Sequence, residues 1–277
     1  MKPSPAALIR LSLLVASCLL SATCASAQFS KLDDLASQVI KEVKPLKPHL
    51  IAVADFRSAD GTAALQGHYF AWMVSGYLEE RGKKKFSVAN HVDFDKDLTM
   101  LHIPVTALAP GSSLQALAPQ IGVDIVVVGT IEKRDKSYVL QATLVRLSDR
   151  KSLTTLNQTI VVDDFLESFV LPFPADVARS VRSGGLKGTN LPRCIHCPDP
   201  SYTDLARAKK VQGSCVLEVL ISANGDPQQI RPLRLLGYGL DQQAFNAIKK
   251  WKFKPPTRED GTPVPIIVPV EVTFRLF

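Results

Sequence analysis

Residues 213–277 read GSCVLEVLISANGDPQQIRPLRLLGYGLDQQAFNAIKKWKFKPPTREDGTPVPIIVPVEVTFRLF. Cys215, Leu217, Val219 and Ile221 alternate with other residues, the period-two pattern of a half-buried strand over Gly213–Ser222. Asn224-Gly225 predicts a type I′ hairpin turn, and Gln228–Leu236 predicts the returning strand. Leu240, Ala244, Phe245 and Ile248 fall on one face of a helix over Leu240–Lys250, with lysines at its C-terminal end where the helix dipole favours cations. Trp251 and Phe253 follow as core anchors. Val264–Phe277 predicts a closing strand whose Pro265 and Pro269 suit a strand start or an edge. Upstream, Pro200-Ser201-Tyr202 leads into a short helix over Asp204–Lys210. The whole is a small α+β unit with no evident catalytic group and with an edge that another chain can pair with.

The order and spacing of these pieces resemble the C-terminal domain of TonB-family energy transducers over about the last 80 residues. The matching residues are Pro200-Ser201-Tyr202 with Ala206-Arg207, Gly213, Asn224-Gly225, Gly239-Leu240-Asp241 with Ala244, Trp251 to Pro255, and Gly261-Thr262-Pro263-Val264 leading into Val270–Phe274. The family's usual Tyr-Pro is Tyr202-Thr203 here. The resemblance implies binding of a plug-domain segment of an outer-membrane receptor, or another envelope partner, by strand addition. The residues it places at the contact are Pro200, Tyr202, Val264, Ile266, Val268, Val270, Val272 and Phe274. It also implies assistance to energy-coupled transport. The family's membrane anchor and long Pro-rich spacer are not evident in this sequence, so binding is better supported than force transmission. Pairing with a second copy, giving a homodimer, is a competing use of the same edge.

Cys194 and Cys197 enclose Ile195-His196, and with an oxidising compartment expected they predict a local disulfide. Free or alternately paired thiols, a zinc site shared with His196 and Cys215, and a thiol oxidoreductase remain open. Pro198 and Pro200 favour an extended segment over the helix start that a thioredoxin-like site needs. Cys215 lies on the alternating strand.

Earlier in the chain, a helix is expected from apolar spacing at Phe29, Leu32, Leu35, Val39, Ile40 and Val43. Strands are expected over His49–Phe56, Phe86–Phe94, Asp124–Ile131, Tyr138–Leu147 and Ser152–Val162, with helices over Leu65–Arg81, Ser112–Ile121 and Phe165–Val181. Strand, helix, strand, helix and then a hairpin predict an open mixed α/β sheet. The pieces IAVADF (51–56), LEERG (78–82), FSVAN (86–90) and GVDIVVVGTI (122–131) resemble the N-terminal domain of TolB and the FlgO- and CsgG-like secreted proteins. That resemblance implies an envelope assembly or scaffold role as an alternative function. The expected fold class is therefore α/β plus α+β: an open mixed-sheet domain (28–182), a Gly-rich linker (183–193), and a small antiparallel sheet with two helices (194–277).

Asp55 and Asp60 sit beyond a strand's C-terminal end, where α/β sheets place ligand crevices. No glycine-rich phosphate loop accompanies them, so a turn-capping role and no cofactor are expected. His68, His91 and His102 share no metal-ligand spacing and read as solvated or core histidines. Trp72 and Tyr77 read as core.

Lys2 and Arg10, the apolar run Leu11–Leu20 and Ala25-Ser26-Ala27 predict a signal peptide over residues 1–27 and a periplasmic chain. A lipid-anchored chain at Cys18 and a retained N-terminal anchor are the alternatives. No transmembrane helix is expected after cleavage. The formal net charge of +7 is scattered rather than clustered, so it reads as a solvated surface and no nucleic-acid partner is expected.

Overall fold

The computed structural model describes residues 30–83, 85–108, 122–174, 177, 189–190 and 192–276. Two compact units divide the chain between Asp163 and Asp164.

The first unit opens with helix α1 (30–43), which buries Leu32, Leu35, Ala36, Val39, Ile40 and Val43. Phe29 of the expected apolar face lies outside the described residues. A 3-10 turn at Lys44–Leu46 ends the helix with Pro45 inside it. There follow β1 (Leu50–Val53), β2 (Arg57–Ser58), α2 (Leu65–Gly82), β3 (Ser87–Val88) and α3 (His91–Met100). A meander completes the unit: β4 (Ile125–Arg134), β5 (Ser137–Arg146) and β6 (Lys151–Val161). The sheet order is β3-β1-β4-β5-β6, with β2 beside β4. β3, β1 and β4 run parallel, and the β4-β5-β6 pairs are antiparallel. This is the expected mixed sheet. On one face Ala52, Ala54, Val126, Val128 and Val145 bury against Phe94 and Leu98 of α3.

One expected strand is corrected. The sequence predicts β structure through Phe94, but the strand stops at Val88 and a helix begins at His91. The Asn90 side chain accepts hydrogen bonds from the Val92 and Asp93 N–H groups, satisfying donors that a helix start leaves orphaned. The helix expected over Ser112–Ile121 lies outside the described residues.

The second unit holds α4 (Asp164–Ser168), β7 (Thr189–Asn190), β8 (Cys194–His196), α5 (Asp204–Ala208), β9 (Gly213–Ile221) and β10 (Pro227–Arg234). It closes with α6 (Leu240–Ile248), β11 (Lys252–Phe253), β12 (Thr257–Arg258) and β13 (Ile266–Phe274). Its main sheet is antiparallel in the order β10-β9-β13, and short ladders join β8 to β11 and β7 to β12. Of the helix expected over Phe165–Val181, Asp164–Ser168 is helical as α4 and belongs to the second unit, residues 169–174 are not helical, and residues 175–176 and 178–181 lie outside the described residues. Phe165 is 1% exposed and meets the Phe245 ring edge-on at 5.5 Å. Of the Gly-rich segment 183–193, Thr189 and Asn190 are engaged, pairing with Arg258 and Thr257.

The hairpin between β9 and β10 also departs from expectation. Only Gly225 adopts a positive φ, +83°, whereas a type I′ turn needs one at Asn224 as well. The Ser222 N–H donates to the Asp226 carbonyl and the Gly225 N–H to the Ser222 carbonyl, so the loop is one residue longer. The Ser222 hydroxyl accepts from the Asn224 and Asp226 N–H groups, which stabilises this wider loop.

Candidate functional site

β13 lies at one end of the β10-β9-β13 sheet and pairs with β9 along its whole length, from Ile266↔Ile221 to Phe274↔Gly213. Among the described residues no strand pairs with its other side. The opposite edge differs. The Gln229 side chain donates to the Leu171 and Pro172 carbonyls, and the Arg231 guanidinium lies over the Phe173 ring at 5.1 Å. The segment after α4 therefore runs beside β10, leaving β13 as the open edge among the described residues.

Pro269 fixes which β13 groups face outward. In an antiparallel pair, successive residues turn their N–H and C=O alternately toward the partner and away from it. Pro269 has no N–H, yet it pairs with Glu218 within an unbroken register, so its nitrogen belongs to the outward set. Ile267, Glu271 and Thr273 share its parity. The open edge thus offers the N–H groups of Ile267, Glu271 and Thr273, and the carbonyls of those three and of Pro269.

The residues expected at the contact differ in exposure. Ile266, Val268, Val272 and Phe274 are buried in the unit's own core, and Val270 is half-buried. Val264 precedes the strand, and its N–H donates to the Pro256 carbonyl. Pro200 is half-buried. The Tyr202 ring meets Phe274 edge-on at 5.4 Å, while its hydroxyl donates to the Val211 carbonyl. These residues hold the edge strand in place, and what β13 presents outward is main chain together with Ile267, Pro269, Glu271 and Thr273. The burial alternation is a tertiary fact that a run of alternating valines does not by itself orient.

The loop before α6 is built around a buried acid. The Asp241 carboxylate accepts from the Leu236 and Gly237 N–H groups at 2.7 and 2.8 Å. Gly237, Tyr238 and Gly239 all have positive φ, a curl those two hydrogen bonds hold closed. Burial pushes the Asp241 carboxyl up to about 7, against the opposing pull of the same backbone donors.

Cys194 and Cys197 form the expected disulfide, across 6.0 Å between their Cα atoms. They sit on and just past the short strand β8 rather than at a helix start. Beside them the Trp251 indole N–H donates to the Pro198 carbonyl at 2.9 Å. Cys215 is a buried free thiol, pushed upward in pKa by burial and the nearby Asp241.

In the first unit the structure gathers residues whose spacing had kept them apart. Asp55 follows β1, His68 lies in the first turn of α2, and His91 opens α3. Asp55 Oδ1 is 3.0 Å from His68 Nδ1 and 2.9 Å from His91 Nε2. His91 Nδ1 lies 2.9 Å from the Val53 carbonyl. Burial opposes ionisation of Asp55, but hydrogen bonds and charge from the two histidines outweigh it and hold the carboxyl far below its usual range. Burial likewise opposes the charged form of His68, but Asp55 raises its pKa overall. Trp72, expected in the core, is half-buried and stacks near both rings, 5.6 Å from His68 and 6.5 Å from His91. Gly67 permits this gathering: a Cβ there would lie 1.7 Å from the Phe56 carbonyl oxygen, so only glycine lets α2 press against the segment after β1. Asp60 does cap a turn, accepting from the Thr62 N–H and hydroxyl, and His102 is exposed.

Among the described residues the second unit leaves the outer side of β13 without a partner strand. Residues 198–276 match the family model of the Gram-negative bacterial TonB protein C-terminal, so the last stretch of the chain is TonB-like. Protein tonB2 of Pseudomonas aeruginosa is 37% identical over 87 residues, 30% of this chain and 30% of that protein. Protein TonB of Vibrio cholerae is 36% identical over 80 residues, 28% of this chain and 32% of that protein. The chain thus spans about a third of the length of these curated relatives. Among solved structures, the Pseudomonas aeruginosa TonB C-terminal domain is 20% identical with a TM-score of 0.27, covering 32% of this chain and 88% of that one. The LpoB C-terminal domain from Escherichia coli is 13% identical with a TM-score of 0.38, covering 49% of this chain and 98% of that one. Among the described residues no helix is long and apolar enough to cross a membrane.

Proposed function

We propose that the second unit is a periplasmic docking module that takes an extended segment of an outer-membrane receptor as an added strand along β13. The observation that carries this reading is the position of β13 at the open edge of the sheet, inside the residues that match the TonB C-terminal family. An incoming strand meets three outward N–H donors and four outward carbonyls, which supply affinity without regard to sequence. Selectivity falls to the exposed side chains that alternate with the buried ones, of which Glu271 is the charged member. Through such a contact the chain assists energy-coupled transport across the envelope, as its similarity to TonB proteins suggests.

The test is a titration of the 15N-labelled full chain with a synthetic peptide carrying a receptor plug-domain segment. The amide signals of Ile267, Glu271 and Thr273 are expected to shift and to lose exchange with solvent. Shifts confined to β10, or none at saturating peptide, overturn the reading.

A further inference from the structure

We propose that Asp55, His68 and His91 form a binding site for a divalent cation of the zinc class, with one coordination position open to solvent. The three donor atoms, one carboxylate oxygen and two imidazole nitrogens, lie within 4.8 Å of one another. Two nitrogens and one oxygen suit zinc, cobalt or nickel, whereas magnesium and calcium take oxygen ligands and copper(I) takes sulfur.

The orientation of His91 carries the argument. Its Nδ1 faces the Val53 carbonyl at 2.9 Å, and a carbonyl can only accept, so Nδ1 bears the hydrogen. With Nε2 unprotonated, its lone pair faces Asp55 Oδ1, only 2.9 Å away. Two lone pairs at that distance repel unless a proton or a metal cation lies between them. A backbone carbonyl fixing the second nitrogen of an imidazole is also the usual outer-shell arrangement of a metal-bound histidine.

Two of the three donor distances leave little to rearrange. Tetrahedral ligands about 2.0–2.1 Å from zinc stand roughly 3.3 Å apart. The contacts of Asp55 Oδ1, at 2.9 and 3.0 Å, need to open by only a few tenths of an ångström. His91 is fixed, its side chain 1% exposed, while His68 and Asp55 at 27% and 17% can give way and provide the route in. The site lies past the C-terminal end of β1, between its parallel neighbours β3 and β4, where open α/β sheets place their ligand crevices. Three protein ligands leave the fourth position to water or to a donor group from a bound partner.

A proton is the rival occupant, and the test separates the two. Zn2+ is titrated into the metal-stripped full chain while the imidazole ring nitrogens are followed by 1H–15N NMR and the stoichiometry by calorimetry. One ion per chain is expected, with ring shifts at His68 and His91 and none at His49, His102 or His196. His68→Gln and Asp55→Asn are expected to weaken binding at least about ten-fold, with circular dichroism confirming that each variant is folded. Ring signals that follow pH but ignore Zn2+, shifts at the other three histidines, or full affinity in a folded His68→Gln overturn the proposal. The ring-shift readout uses the unaltered protein, so the result stands even where a variant fails to fold.

Discussion

Gly225 illustrates how much a single position can carry. Its φ of +83° disfavours any L side chain, and a Cβ there would lie 2.0 Å from the Phe253 carbonyl oxygen. Its own carbonyl accepts the Phe253 N–H, tying the hairpin to β11. Left-handed backbone alone costs a non-glycine residue about 1–2 kcal/mol. Gly225→Ala is therefore expected to destabilise the second unit by at least about 2 kcal/mol, read as a lower urea midpoint with an unchanged slope. Asp241 gives a residue-level prediction of a different kind. Its carboxyl titrates near the ordinary 3.8 when unfolded and at about 7 when folded. Between those values the folded chain holds a proton that the unfolded chain releases, so stability falls as pH rises through the window. The contribution is complete below about pH 4 and lost above about pH 7, with a ceiling of about 4 kcal/mol. Urea midpoints at pH 5 and pH 8 should differ in the native chain, and Asp241→Asn should flatten that difference.

At the scale of the element, β13 is a strand with two sides that tolerate proline differently. Glu271 has its N–H outward, so Glu271→Pro should keep the fold and weaken peptide binding about five-fold, the worth of one hydrogen bond of about 1 kcal/mol. Val270 has its N–H in the ladder with β9, so Val270→Pro should unfold the second unit. Circular dichroism and peptide titration of the two variants check the parity, and a folded Val270→Pro would reverse it. The elements also show which parts of the fold were legible in advance. Period-two alternation in β9 and the apolar face of α6 announce themselves because each element's own neighbours define its buried side. Phe86–Phe94 misled because its apolar residues run on into the helix, and the Asn90 cap outweighs the local strand preference only when its side chain turns back to Val92 and Asp93. Of the site in the first unit only Asp55 was legible, from its place past a strand's C-terminal end, and its two histidines were not. Asp55 lies 13 residues from His68 and 36 from His91, spacings with no meaning until the β3-β1-β4 order brings three loop ends together.

At the scale of the whole molecule, the division at Asp163 matters for how the chain can be cut. α4 contributes Phe165 to the core of the second unit, and a buried aromatic of this size is worth about 2–3 kcal/mol. A chain beginning at Asp164 should therefore melt about 10 °C or more above one beginning at Cys194. Equal melting temperatures would show α4 to be dispensable. The Gly-rich stretch lies past that division, and composition of that kind marks where a chain can bend, not where a helix packs.

Pro269 has a consequence for how partners are sorted. An edge whose donors repeat without interruption accepts a second strand equally well in any frame two residues apart, and a copy of itself as readily as a stranger. The silent nitrogen at 269 works like a missing tooth on a key rail. A guest strand must bring to that point a carbonyl that needs no partner or a kink that turns it aside, and every other alignment leaves an acceptor stranded. If the edge takes an added strand as proposed, this gap favours the frames in which the carbonyl facing Pro269 is turned aside or reaches water.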